Sequence, residues 1–312
     1  MQTALITHLD CLEHDAGPGH AERPERLRAV LAALAADEFA GLRREAAPLA
    51  SREQLAQAHP ESYIDSILAV QPAPGVRVVL DADTSMSAGS ATAALRGAGG
   101  AAAAVDLVMS GAVQAAFVAT RPPGHHAEPA MAMGFCLFNN VFVAARHACV
   151  RWGLSRVAIA DFDVHHGNGT QDMVAADPAL FFVSSHQSPC YPGTGAASER
   201  GEFGNILNAP LPPGAGSVAF RRVWSRTLLP AIEAFAPELL IVSAGFDAHR
   251  DDPLAQLELD VADYDWITCE LAALAGRRCG GRLVSVLEGG YDLDALAASA
   301  AAHVRALLQH PG

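Results

Sequence analysis

The sequence contains no lysine, so all 21 of its basic residues are arginine. That excludes Schiff-base chemistry, a pyridoxal attachment site and the phosphate-loop lysine at once; the absence itself is read as genomic base composition. Also missing is any uninterrupted apolar run of membrane-spanning length. The Ala-rich segment from Gly97 to Ala119 is broken by Asp106, Ser110, Gln114 and several glycines, and reads as a packed helix followed by a strand. Met1 to His14 lacks the basic-then-apolar pattern of a secretory signal, which makes a cytoplasmic location the expectation. The six cysteines (Cys11, Cys136, Cys149, Cys190, Cys269 and Cys279) show no C-x-x-C pair. Neither a disulfide framework nor a structural zinc knot follows, and free thiols are expected. Net charge is −13, with no basic cluster larger than Arg221-Arg222 or Arg277-Arg278. This argues against a nucleic-acid partner and favours a cationic substrate. No membrane partner is expected either.

What remains is acid, histidine and metal chemistry, and the sequence concentrates it. In Ile159-Ala-Asp161-Phe-Asp163-Val-His165-His166-Gly-Asn168-Gly-Thr-Gln171 a β-branched apolar run meets carboxylates and imidazoles where turn residues end the strand. In extended chain Asp163 and His165 face the same way, with Asp161 one step back. A carboxylate oxygen and an imidazole nitrogen on one face are two ligands for a divalent metal such as zinc. Isolated residues of this kind would be turn caps or core fillers. Clustered at the end of a hydrophobic strand, they cost several kcal/mol to bury unless each is paired or metal-bound.

At 312 residues and 51% hydrophobic content the chain suits one large α/β domain spanning 1–312. Strands are expected over Thr3 to His8, Val76 to Leu80, Ala115 to Ala119, 157–162, Leu180 to Ser185, Glu238 to Ser243 and Arg282 to Leu287. Helices are expected over 24–36, two pieces of 51–70 broken at His59-Pro60, 90–109, a segment ending near Trp152, 168–176, 217–236 and a C-terminal Ala/Leu-rich run. Asp81 to Ser87 reads as a surface loop. The charged entry His20-Ala-Glu22-Arg23-Pro24-Glu25-Arg26 is equally readable as a cap with ion pairs and as something more. Strand-helix alternation indicates parallel β-α-β units. Four of the strands end in reactive groups: His125/His126, Asp163/His165, Asp247 and Tyr291. Ligands of open α/β sheets gather at that edge. Three protein ligands, Asp163, His165 and Asp247, would leave a zinc ion an open position, as in hydrolytic sites.

Six segments in this order, RPPGHHA, GFCLFNN, DFDVHHGNGTQ, YPGTG, SAGFDAH and LEGGYD, resemble the zinc-dependent histone deacetylase family, nearest its class II and bacterial histone deacetylase-like amidohydrolase branch. The resemblance covers most of residues 1–310. It implies the arginase/deacetylase α/β fold, a single domain with a mostly parallel eight-stranded sheet between helices. It implies one Zn2+ per chain on Asp163, His165 and Asp247, with His126 as main general base and acid and His125 as electrostatic partner. Asp161 would orient His125, Asn168 would stand behind His126, and Tyr291 would polarise the acyl oxygen. Asp161, Asp163, His165 and Ser184 match a structural K+ site. Phe135, Tyr191, Gly134 and Gly289 match the walls of an acyl-lysine tunnel, with Leu254 and Asp83 at its rim.

The implied activity is removal of acetyl or longer acyl groups from acyl-lysine in peptides or proteins. An acetylpolyamine amidohydrolase shares the mechanism and remains an alternative, as does a catalytically inactive acyl-lysine binding protein. A two-manganese ureohydrolase of the same fold would need further bridging carboxylates, for instance Asp in place of His249. Leu254, following Asp252-Pro253, favours acyl-lysine, because an acidic residue there would attract a second ammonium. An oligomer is compatible with the sequence.

Overall fold

The computed structural model describes residues 2–309, and the extreme ends of the expected 1–312 span lie outside the described residues. In chain order the elements are β1 (Thr3–Thr7), α1 (Pro24–Ala33), β2 (Arg43–Ala46), α2 (Arg52–Leu55), α3 (Glu61–Leu68), β3 (Val78–Val79), β4 (Ser85–Met86), α4 (Ser90–Met109), β5 (Ala115–Val118) and α5 (Asn140–Trp152). There follow β6 (Val157–Asp161), α6 (Asn168–Val174), β7 (Leu180–Gln187), β8 (Ile206–Leu211), α7 (Ser217–Val223), α8 (Leu229–Phe235), β9 (Leu239–Ala244), α9 (Val261–Arg278), β10 (Leu283–Leu287) and α10 (Leu293–Gln309). The main sheet has eight strands in the order β2-β1-β5-β10-β9-β6-β7-β8. Every pairing in it is parallel.

Both faces of this sheet are covered, as a parallel sheet requires. Alternate residues divide between them. Leu5, Phe117, Ala158, Leu240 and Leu283 join a core with Leu27 of α1, Leu271 of α9 and Leu296 of α10. Their strand neighbours Ala4, Ala116, Ile159, Ile241 and Val284 face Val105 of α4 and Val141 of α5. The central strands therefore read as continuous apolar runs rather than alternating ones.

Three expectations need correction. The strand expected over Val76 to Leu80 is reduced to Val78–Val79, which pairs antiparallel with Ser85–Met86 in a separate ribbon. The polar segment after it is not simply a surface loop, because Thr84 and Met86 are buried. The helix expected over 217–236 is interrupted by a π-helical turn, Trp224–Leu228, ahead of Pro230. Proline cannot donate the hydrogen bond that would continue a regular α-helix there. In addition, the helix ending at Trp152 starts at Asn140, capped by the Asn139 side chain accepting from the Phe142 amide.

In the sheet order, β5, β10, β9 and β6 are consecutive central strands. Their C-terminal ends therefore lie side by side, and each of the four segments that follow carries one part of the site.

Candidate active site

His165 Nδ1 lies 3.1 Å from Asp163 Oδ1 and 3.1 Å from Asp247 Oδ2. One ligand atom from each of the three residues falls within 4.8 Å of the others, and all three are buried. Asp163 and His165 follow β6 and Asp247 follows the adjacent β9. Two buried carboxylates and an imidazole at this spacing fit a single divalent ion with room for further ligands. Burial raises the Asp247 carboxyl, and the neighbouring Asp163 charge raises it further. Mutual repulsion of this kind is what a bound cation relieves. Asp161 is not part of the triad. It ends β6, accepts from the Asp163 amide at 3.0 Å through Oδ1 and binds His125 Nδ1 at 3.0 Å through Oδ2.

Gly289 explains itself by contact. A Cβ there would sit 2.1 Å from Asp247 Oδ2 and 2.6 Å from Asp163 Oδ2, and its amide donates to Asp163 Oδ2 at 2.8 Å. It packs directly behind the ligands and is not among the residues that line the cavity described below.

The loop after β5 delivers the two histidines with rings 4.0 Å apart between centroids. Their environments differ. Burial would depress the His125 imidazole, but the flanking Asp163 and Asp161 carboxylates raise it to about 10. Burial also depresses His126, and here the charges of His125 and His165 push the same way, holding it well below the usual range. His126 Nδ1 meets Asn168 Oδ1 at 2.8 Å, so Nε2 is the nitrogen left to the cavity. The loop itself hangs on Glu288, whose Oε2 accepts from the amides of Gly124 at 2.7 Å and His125 at 3.1 Å.

The cavity above these groups is about 210 Å³, lined by Asp83, His126, Gly134, Phe135, His165, Tyr191, Leu254 and Tyr291. Gly134 and Phe135 both adopt left-handed backbone, φ 55° and 67°, a region unfavourable for a side chain such as Phe135. The turn is held by Asp83 Oδ1 accepting from Gly134 N at 3.2 Å and Thr84 Oγ1 accepting from Phe135 N at 3.0 Å. The Phe135 ring stands edge-on to Tyr291 at 5.8 Å, and Tyr191 edge-on to His126 at 5.1 Å. A larger surface groove of about 630 Å³ runs past Arg23, Arg28 and Arg77. It contains none of the clustered acid-base groups, so the smaller cavity is the site.

Of the residues expected from sequence, the metal triad, both histidines, Asn168, Tyr291, Phe135, Tyr191, Leu254, Gly134 and Asp83 converge on this cavity or its floor. Ser184 is buried beside it, pairing in β7 with Asp161, and its hydroxyl bonds His186 Nδ1 at 2.9 Å.

Sequence reasoning missed the supports of Tyr291. Asp252 Oδ2 accepts from the Tyr291 amide at 2.7 Å. Arg26 stacks its guanidinium 4.6 Å from the Tyr291 ring centroid and donates to the carbonyls of Gly290 and Glu288, each at 2.5 Å. Glu22 in turn binds Arg26 at 3.2 Å and Arg121 at 2.5 Å, and all three are fully buried. Burial would raise the Glu22 carboxyl, but Arg121, His14 and Arg26 hold it well below the usual carboxylate range. The signal was the charged entry to α1, of which Glu22 and Arg26 are buried supports while Arg23 and Glu25 remain exposed.

With this geometry in view, comparison with known proteins is direct. The histone deacetylase domain family matches residues 20–307. The histone deacetylase-like amidohydrolase of Pseudomonas aeruginosa is 41% identical over 313 residues, covering 93% of this chain and 82% of that one. Histone deacetylase 14, chloroplastic, of Arabidopsis thaliana is 50% identical over 195 residues, 62% of this chain and 46% of that longer protein. The crystal structure of the HDA15 HD domain superposes with a TM-score of 0.93 at 36% identity, covering 99% of this chain and 88% of that one. The parallel sheet is thus that of the arginase/deacetylase fold. The chain belongs to the histone deacetylase family of hydrolytic, zinc-dependent deacetylases.

Proposed function

We propose that residues 1–312 form one catalytic unit that hydrolyses the side-chain amide of acyl-lysine in peptides or proteins. The observation that carries this reading is the narrow cavity walled by Phe135, Tyr191 and Leu254, which ends on His126, His165 and Tyr291. Such a slot accommodates an uncharged alkyl stem and brings one amide to the polar floor. Asp163, His165 and Asp247 would hold a zinc ion, which when bound supplies Lewis acidity to a water molecule and to the acyl carbonyl.

The chain's own groups then divide the work. Neutral His126 accepts the proton of the water at Nε2 as the water oxygen bonds to the carbonyl carbon. Tyr291 donates its hydroxyl hydrogen bond to the acyl oxygen as negative charge develops there. When the C–N bond breaks, a proton passes from the imidazolium to the departing nitrogen, giving a carboxylic acid and the free amine. His125, paired with Asp161, keeps positive charge beside the developing anion. Asp161, Asp163, His165 and Ser184 are proposed to surround a structural potassium ion next to this floor.

Leu254 favours acyl-lysine over an acetylpolyamine, since a second ammonium at the mouth would find an apolar neighbour there. Asp81 and Asp83 stand close enough to Tyr191 to act on its hydroxyl, an observation that keeps the polyamine reading as the specific rival. The deciding experiment compares kcat/KM for an acetyl-lysine peptide with acetylputrescine and acetylspermidine, on the wild type and on Leu254→Glu. The expected result is a peptide preference that shifts toward the polyamines in the variant. A wild type that prefers acetylpolyamines refutes the substrate assignment.

A further inference from the structure

The segment between the paired histidines and the Gly134-Phe135 turn, Glu128-Pro-Ala-Met-Ala-Met133, has no part in the chemistry described so far. Its first residue nevertheless reaches toward the floor of the site. Glu128 is fixed by its amide donating to the Met131 carbonyl at 3.0 Å. Its side chain lines a second cavity of about 270 Å³ on the far side of Asn168, together with Gln171, Asp172 and Glu199.

We propose that Glu128 is a positioning residue that selects the tautomer of His126 through the side-chain amide of Asn168. Asn168 Nδ2 donates to Glu128 Oε1 at 2.8 Å and lies 3.3 Å from Met133 Sδ, while Asn168 Oδ1 is 2.8 Å from His126 Nδ1. An amide is nearly symmetric in shape, so its orientation is decided by its partners. An ionised carboxylate only accepts. Rotating the amide by half a turn would set Oδ1 against Glu128 Oε1, acceptor against acceptor, and would lose a charge-assisted hydrogen bond. Glu128 therefore holds Oδ1 toward the histidine. Oδ1 in turn requires the hydrogen on Nδ1, and a neutral imidazole carries only one. The lone pair is then on Nε2, facing the cavity.

The neighbouring histidine needs no such device, because Asp161 binds it with a carboxylate that accepts in any orientation. An amide at 168 accepts in only one. Glu128 supplies the orientation that the amide lacks.

This inference rests on His126 being the proton acceptor, and the test separates the two ideas. In zinc-loaded protein assayed on an acetyl-lysine peptide, Glu128→Ala is expected to lower kcat about tenfold or more, the range typical of lost outer partners. KM, zinc content and melting temperature should stay near wild type. Glu128→Gln, whose side-chain amide can either accept from or donate to Asn168 and so no longer dictates its orientation, should recover little of the loss. Independently of activity, metal-free protein carrying 15N-histidine reports the tautomer. The His126 signal, assigned by its loss in His126→Phe, should show a single Nδ1–H form in wild type and a tautomer mixture in Glu128→Ala. An unchanged tautomer in Glu128→Ala, a wild-type kcat in that variant, or a Gln variant with wild-type kcat overturns the proposal. If wild type shows no acyl-lysine hydrolysis, the proposed function fails while the nuclear magnetic resonance result still decides the role of Glu128.

Discussion

Replacing Tyr291 by phenylalanine removes one oxygen atom from the site and leaves nearly everything else in place. The backbone of residue 291 stays anchored, because Asp252 binds its amide rather than its side chain. The ring keeps its edge-on contact with Phe135 and its stacking under Arg26. None of the three proposed metal ligands touches the hydroxyl in its hydrogen bonding: His165 bonds Asp163 and Asp247, and the backbone amides of Val164 and Gly289 complete the carboxylates. The loss is therefore confined to a donor that matters when charge builds on the acyl oxygen. Removal of one such donor costs about 2.7–4 kcal/mol in the barrier, or about 10²–10³ in kcat. Because the donor acts mainly in the transition state, KM should change little. The assay is steady-state hydrolysis of an acetyl-lysine peptide, run with metal analysis and a thermal melt on the same preparation. Activity within a few-fold of wild type, at equal zinc content, would refute the role given to Tyr291. A variant that loses zinc along with activity would refute the claim that the hydroxyl acts apart from the ligands.

Metal analysis is expected to find about one divalent ion per chain at the catalytic floor, with hydrolysis lost on chelation and restored by zinc; two ions sharing carboxylates would contradict the triad. A second expectation concerns stability in the core behind the site, where His303 packs against Phe162 and Phe246. His303 is fully buried between Thr268 Oγ1 at 2.6 Å and Ser285 Oγ at 2.8 Å. Burial lowers its pKa to about 3. The folded form thus keeps it neutral while the unfolded chain protonates near the ordinary histidine value, so its contribution is present above about pH 6.5 and is lost as pH falls toward about 3. The slope is about 1.4 kcal/mol per pH unit within that window. Denaturant unfolding of wild type and His303→Gln across this range should show the stability gap between them narrowing on acidification, and a constant gap would refute the assignment.

The central strands and the residues at their ends were legible because they announce themselves in composition. β5, β6, β9 and β10 are mostly apolar runs, interrupted only by Ser243, Ser285 and the closing Asp161, and each gives way to glycine, proline, carboxylate or imidazole. The edges of the same sheet were not. β2 is Arg-Arg-Glu-Ala and β8 contains Pro210, and charge and proline are what keep an edge strand from pairing further. Both look like loops for the reason that makes them good edges. The long α9 was also missed, although Asp260 and Asp263 form a capping box at its start and its Ile267, Leu271 and Leu274 belong to the core. The supports of Tyr291 were illegible for a different reason. Glu22 and Arg26 read equally well as a helix cap with ion pairs, Arg121 gave no sign of joining them, and only the three-dimensional chain path brings the three together without solvent. A buried arrangement of this kind is specific rather than strongly stabilising, since breaking one member strands the others at a cost of about 3–5 kcal/mol.

The two histidines of the site show why residue identity alone underdetermines chemistry. They are adjacent in sequence, both buried, with rings in contact, yet their environments push them in opposite directions. His125 faces a carboxylate across 3.0 Å and a second one at 3.8 Å, and these raise its pKa against the effect of burial. His126 faces an amide, and burial together with the neighbouring His125 charge holds its pKa well below the usual imidazole range. A charged imidazolium cannot accept a proton, and a neutral one contributes no fixed charge. A site that must do both at once separates the tasks by giving paired groups unlike partners. The partner at 161 is an aspartate and the partner at 168 is an asparagine, a difference of one atom type that assigns the work. Asp161→Asn alone would remove the charge that favours the His125 imidazolium, so both rings would tend toward neutrality. Electrostatic support for the anion would then fall while proton acceptance at His126 remained.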